Sequence, residues 1–138
     1  MDAKRRLVVL IVEDHPGVLD SLERLVERWP NVDILSADGS LAALKWIGLA
    51  PCIDLLLSDV CLPGEMTGVD IAAFAVITHP GIAVVLLSAD AKSEIKGLVE
   101  RYAFVRKPFG GDQLTAHIDK AFLGLRPMSE LVFNAARA

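Results

Sequence analysis

Basic runs, paired cysteines, long apolar stretches and glycine-rich phosphate loops are all scarce or missing in this 138-residue chain. Each shortage removes a class of function. The 14 lysines and arginines stand against 18 acids, giving a net charge of −4. They form no run that would follow a phosphate backbone, which disfavours direct nucleic-acid binding. Cys52 and Cys61 show neither CxxC spacing nor a neighbouring histidine cluster, so they read as reduced thiols. The longest strand-like apolar run, Leu7–Val12, falls far short of the ~20 residues a membrane helix needs. The opening MDAKRR is basic, but the apolar run after it ends in acids without a small-residue cleavage site. The expectation is a soluble cytoplasmic protein. Neither GxxxxGK nor GxGxxG follows the first apolar run, which sets nucleotide binding aside. His15, His79 and His117 lack metal-ligand spacing and read as solvated or locally bonded, and Trp29 and Trp46 as helix-packing residues.

What is abundant is apolar material: 53% of residues are hydrophobic, enough for one compact core in a chain of this length. Five short apolar runs, Leu7–Val12, Val32–Ala37, residues 55–58, residues 82–87 and residues 103–105, read as strands. The first and fourth are hydrophobic on both faces, as buried parallel strands are. Between and after them, apolar residues recur at helical spacing. The series are Val18, Leu22, Leu25, Val26 and Trp29; Leu41, Leu44 and Ile47; Val69, Ala72, Ala73, Val76 and Ile77; Ile95, Leu98, Val99 and Tyr102; and Leu114, Ile118, Ala121, Phe122 and Leu125. Pro30, Pro51 and His79-Pro80-Gly81 punctuate the first three, and Ser40 is expected to cap the second. The pattern is five βα units in an α/β domain spanning residues 1–125. Residues 126–138 follow as a tail, with Ser129 able to cap a short extra helix and Leu131, Val132 and Phe133 needing a surface to cover.

Polar residues concentrate at the ends of the predicted strands. Glu13 and Asp14 follow the first, Asp59 the third, Ser88 the fourth, and Lys107 the fifth. In an open parallel sheet the ligand crevice lies at those carboxyl ends. Glu13, Asp14 and Asp59 supply the oxygens a hard cation takes, and magnesium needs only a few protein ligands beside its waters. With a cation offsetting their repulsion, Asp59 can attack phosphorus in line, while Lys107 and Ser88 meet the phosphoryl oxygens. Taken singly, Asp14 or Asp59 reads as a capping carboxylate, Ser88 as a helix start and Phe104 as a core aromatic. The four strand ends together favour chemistry.

The ordered set VEDHP, LLLSDVCLPGEMTG, VVLLSAD and FVRKPF resembles the receiver domains of two-component response regulators over about residues 7 to 124. The resemblance implies a flavodoxin-like (βα)5 fold, a five-stranded parallel sheet in the order 2-1-3-4-5. It implies that Asp59 accepts a phosphoryl group from a histidine kinase or histidine phosphotransfer protein. Glu13, Asp14, Asp59 and the backbone carbonyl of Cys61 match the family's magnesium ligands. Ser88 and Phe104 match its coupled switch, and Lys107 its phosphate-contacting lysine. The implied readout toward a downstream protein, and any homodimer, use the fourth-helix, fifth-strand and fifth-helix face. Such a receiver assists its own phosphorylation and dephosphorylation without being an enzyme with an external substrate.

Several features depart from the family pattern. GEMTG is one residue longer than in the smallest regulators, and the switch aromatic is Phe104 rather than tyrosine. The span from Ser88 to Lys107 is short, which predicts a truncated or displaced fourth helix and is closer to the receivers of hybrid histidine kinases. Asp90, two residues after Ser88, stands where side chains modulate loss of the phosphoryl group. Two other readings are a phosphorylation-independent interaction module of the same fold and an aspartyl-phosphate hydrolase of the haloacid dehalogenase type. The hydrolase places a second acid where this chain has Cys61, and needs room for a capping insertion.

Overall fold

The five apolar runs pair side by side, and the first, third and fourth are buried on both faces, so that helices must cover the sheet above and below. In the computed structural model, which describes residues 6–125, they form β1 (Leu7–Val12), β2 (Val32–Ala37), β3 (Leu55–Asp59), β4 (Ala83–Ser88) and β5 (Ala103–Arg106). All four pairings are parallel, in the order β2-β1-β3-β4-β5. The flavodoxin-like order is thus present. Strand order reverses at β1, which lies between β2 and β3, so a crevice opens beyond the carboxyl ends of β1 and β3.

Alternate residues of each strand point to opposite faces, which splits the core in two. Leu10, Val12, Leu56 and Leu86 pack on one side with Ile47, Ile71, Ala72 and Ala75, under α2 (Ser40–Leu49) and α3 (Gly68–Thr78). Val9, Ile11, Leu55, Leu57, Val85 and Leu87 pack on the other with Leu22, Val26, Leu114, Ile118 and Phe122, under α1 (Pro16–Val26) and α4 (Gly111–Leu125). Trp29 closes the second layer with its ring edge-on to Phe122, the centroids 5.6 Å apart. Its indole N–H donates to Asp119 Oδ1 at 2.6 Å. Trp46 donates to the Ser36 carbonyl at 3.0 Å, so both tryptophans serve packing, as expected.

Two helix starts use chemistry that the sequence reading did not assign. The N-cap of α2 is Gly39, which makes no side-chain bond, so the expected Ser40 cap is replaced and Ser40 is the first helical residue. Thr67 caps α3 in a reciprocal box with Asp70, whose carboxylate accepts the Thr67 N–H at 2.8 Å.

The fourth crossover, residues 89–102, is the shortest of the four. It holds only a 3-10 turn at Lys92–Glu94, so the helical period of Ile95, Leu98, Val99 and Tyr102 does not become a helix. Gly97 breaks it, with φ at +85°, a left-handed conformation that ends rather than continues a right-handed helix. Ile95, Leu98 and Tyr102 still pack on the core beside α3. α4 therefore corresponds to the fifth predicted helix. The expected tail, residues 126–138, lies outside the described residues. Among the described residues no helix is long and apolar enough to cross a membrane.

Candidate functional site

The sheet register brings the strand-end residues to one place. Glu13 follows β1, and its N–H donates to the Ala37 carbonyl at the end of β2. Asp59 is the last residue of β3 and pairs in register with Leu87, one residue before Ser88. Lys107 follows β5, its N–H donating to the Ser88 carbonyl at 2.7 Å. Its Nζ then lies 3.2 Å from Asp59 Oδ2 and 3.8 Å from Glu13 Oε2. Carboxylate oxygens of Glu13, Asp14 and Asp59 lie within 4.8 Å of one another. Three carboxylates and one lysine thus meet at the end of β1, β3 and β5, as the sequence predicts.

This arrangement is electrostatically unfinished. Glu13 is buried, its Oε1 accepts only a long 3.4 Å bond from the His15 N–H, and its Oε2 has no hydrogen-bond partner. Burial, followed by the charge of Asp59, raises the Glu13 pKa from 4.5 to about 7, with Lys107 opposing. Oxygens converging from three carboxylates, one of them buried without a hydrogen-bond partner, are what a hard divalent cation takes as ligands. The donor set of Glu13, Asp14 and Asp59 therefore fits such an ion.

Asp59 is held from behind by parts that the sequence reading did not single out. The Ser58 hydroxyl donates to the Asp59 carbonyl at 2.9 Å, and the Gly68 N–H donates to the Val60 carbonyl at 2.8 Å. A Cβ on Gly68 would stand 2.1 Å from the Asp59 carbonyl oxygen, so the start of α3 can approach the site only as glycine. The sequence signal in GEMTG extends to the helix start, marked by a Thr three residues before Asp70, and not to the close approach of Gly68.

The remaining predicted residues take graded positions. Ser88 is fully buried, and its hydroxyl accepts the N–H of exposed Asp90 at 3.0 Å, which ties the fourth crossover to the site. Cys61 is a free, exposed thiol two residues beyond Asp59. Phe104 is not among the clustered side chains; it packs with Ile95, Leu98 and Tyr102 against the core under α2 and α3. The Lys107–Pro108 bond, whose isomer the sequence left open, is cis. His15 caps α1 through Nδ1, and His79 Nε2 lies 2.9 Å from the Ile47 carbonyl, so both are locally bonded.

Similarity to known proteins agrees with this geometry. The family model for the response regulator receiver domain matches residues 9–119. The transcriptional regulatory protein MctR of Rhizobium johnstonii is 25% identical over 138 residues, an alignment covering 98% of this chain. The chain spans 64% of that relative's length. A response regulator receiver protein of Sinorhizobium medicae superposes with a TM-score of 0.77 at 19% identity, over 84% of this chain and 94% of its own. A protein of Neptuniibacter caesariensis superposes at 0.75 with 25% identity, over 88% and 91%. With its strand order, its clustered carboxylates and a match over most of its length, the chain belongs to the response regulator receiver domain family.

Proposed function

We propose that this receiver takes a phosphoryl group onto Asp59 from the phosphohistidine of a histidine kinase or histidine phosphotransfer protein. The observation that carries the reading is the Asp59 carboxylate, 3.2 Å from Lys107 Nζ and grouped with Glu13 and Asp14. Magnesium suits the donor set, with Glu13, Asp14, Asp59 and the Cys61 backbone carbonyl holding it. When bound, it neutralises charge on the phosphoryl oxygens and offsets repulsion among the carboxylates. An Asp59 oxygen attacks phosphorus in line. The P–N bond breaks with its electron pair kept by the imidazole nitrogen, the ring's other nitrogen carries the proton so that the donor leaves as neutral imidazole, and an acyl phosphate forms on Asp59. Lys107 exchanges its contact with Asp59 for one with a phosphoryl oxygen, and the Ser88 hydroxyl donates to another.

The consequence is regulatory. The Ser88 hydroxyl holds the Asp90 N–H, so turning it toward a phosphoryl group releases the start of the fourth crossover, whose later residues Ile95 and Leu98 cover the same core layer as Phe104. The surface carried by that crossover, β5 and α4 then reports the state of Asp59 to a downstream protein. Asp90, exposed beside Ser88, modulates the water attack that ends the signal. The chain works as a cytoplasmic signalling phosphoacceptor, residues 1–125 forming the domain and residues 126–138 a tail. Retention of Glu13, Asp14, Asp59 and Lys107 together favours this over a phosphorylation-independent module, and Cys61 at the place of a second acid argues against a hydrolase.

The test is intact-mass spectrometry after incubation with Mg²⁺ and acetyl phosphate, comparing the wild type with Asp59→Asn. A base-labile phosphoryl adduct that needs the metal and is absent from the variant is expected. Failure to form the adduct, with the small donor and with a panel of phosphorylated kinases alike, would overturn the reading.

A further inference from the structure

The amino ends of β4 and β5 border a cavity of about 480 Å³, a volume typical of small-molecule sites. It lies at the opposite end of β4 from Ser88 and shares no residue with the carboxylate cluster. Two local features open it. The fourth crossover forms no helix beyond Glu94, and only its last residues, Glu100, Arg101 and Tyr102, make a wall. Small residues stand where bulk would close the gap: Ala83 and Ala103 on the strands, Ala121 and Gly124 on α4, with open space around Gly124 for a Cβ.

Cations outnumber acids around this space. His117, Lys120 and Gly124 recur at helical spacing and share the face of α4 that lines the cavity, which sets an imidazole and an ammonium on that side. Arg101 stands on the crossover wall, one guanidinium nitrogen donating to the Pro80 carbonyl at 3.0 Å and to the Ile82 carbonyl at 2.7 Å. Those bonds hold the group in place and leave the rest of its planar fork of donors to a ligand. Glu100 is the one acid in the lining, and among the described residues no carboxylate pairs with Arg101, His117 or Lys120. In a chain of net charge −4, this local surplus of cations runs against the composition. Ile82, Val84 and Tyr102 add apolar surface to the same lining. An anionic head with an apolar body uses both parts, and the arginine fork matches a carboxylate in particular.

We propose that this cavity binds a small organic carboxylate, with Arg101 and Lys120 holding the carboxylate and Ile82, Val84 and Tyr102 covering its apolar body. None of these residues belongs to the phosphotransfer site, so binding is independent of Asp59 and stands or falls apart from that reading. Titration of the isotope-labelled 138-residue chain with phenylacetate, followed through its amide NMR shifts, tests it. Saturable shifts are expected among residues 81–85, 100–103 and 117–124, in Asp59→Asn as in the wild type. Lys120→Gln and Arg101→Gln are expected to weaken binding by about fivefold or more. Gly124→Leu, whose side chain takes up part of the cavity, is expected to abolish it, and Lys45→Gln on α2 to leave it unchanged. A dispersed amide spectrum establishes that each variant is folded, and Lys120→Gln, at an exposed position, decides the point if Arg101→Gln is not. The proposal is overturned by a lack of saturation at tens of millimolar, by shifts that map elsewhere, or by an affinity that the cation variants do not move. Phenylacetamide or inorganic phosphate binding as tightly as phenylacetate would overturn it equally, the first by removing the role of the charge and the second that of the apolar body.

Discussion

Asp59 owes its position as much to a residue without a side chain as to the groups that contact its carboxylate. The Gly68 backbone lies where any Cβ would collide with the Asp59 carbonyl oxygen, and neither that carbonyl nor the Val60 carbonyl beyond it can yield without breaking its bond. Gly68→Ala is expected to destabilise the fold by about 1–3 kcal/mol, as overpacking of a tight contact does. On the proposed function it should also slow acyl-phosphate formation, because Asp59 shifts; urea unfolding and phosphorylation rates measure the two effects. At this scale the candidate site was largely legible: Glu13, Asp14, Asp59, Ser88 and Lys107 were all found as polar residues ending apolar runs. Gly68 was not, since its role is an absence of atoms at one distance from a backbone oxygen, and only the folded chain supplies that distance.

Among the elements, α3 and the fourth crossover stand at opposite ends of definition. The reciprocal bonds of Thr67 and Asp70 satisfy two amide groups at the start of α3. Thr67→Ala should cost about 1 kcal/mol, read as a lower urea midpoint with an unchanged slope. The fourth crossover has a turn at Lys92–Glu94 and then no helical ladder, with Val99 half-exposed. Amides of residues 95–102 are accordingly expected to exchange through small local openings, far faster than those of β1 and β3, in hydrogen exchange followed by mass spectrometry. Uniform protection across both regions would contradict this account. The helical period of Ile95, Leu98, Val99 and Tyr102 misleads because periodicity records which residues face the core, and an irregular segment with Gly97 at positive φ can also turn Ile95, Leu98 and Tyr102 inward.

For the molecule as a whole, the acidic site sets a dependence on pH and metal. Glu13 titrates near 7 in the folded chain, above its ordinary 4.5, so folding favours its protonated form. Its contribution to stability is fully present below 4.5 and is lost as pH rises through about 7. A bound divalent cation uses the ionised carboxylates, so its stabilising effect should grow over the same interval. Thermal melts between about pH 5 and about pH 8 are expected to show Mg²⁺ raising the midpoint more at the alkaline end, and Glu13→Gln flattening the dependence. An equal Mg²⁺ effect at both ends would refute the assignment of Glu13.

The order of apolar runs and helical periods, with acids and a lysine at the run ends, determined by itself that this chain is a parallel α/β domain with a cluster of polar residues at its strand ends. Those patterns follow from local periodicity and from where parallel strands must end. The tertiary structure decided what depends on distances between segments far apart in sequence. It set Lys107 on Asp59, left a buried Glu13 oxygen without a hydrogen-bond partner, fitted Gly68 behind Asp59, and kept the fourth crossover from becoming a helix. It also left Leu41, Leu49, Phe74 and Ile77 facing outward. The sequence shows these four as helix-compatible apolar residues, but whether such a residue points into the core or away from it is settled only by what packs against its helix.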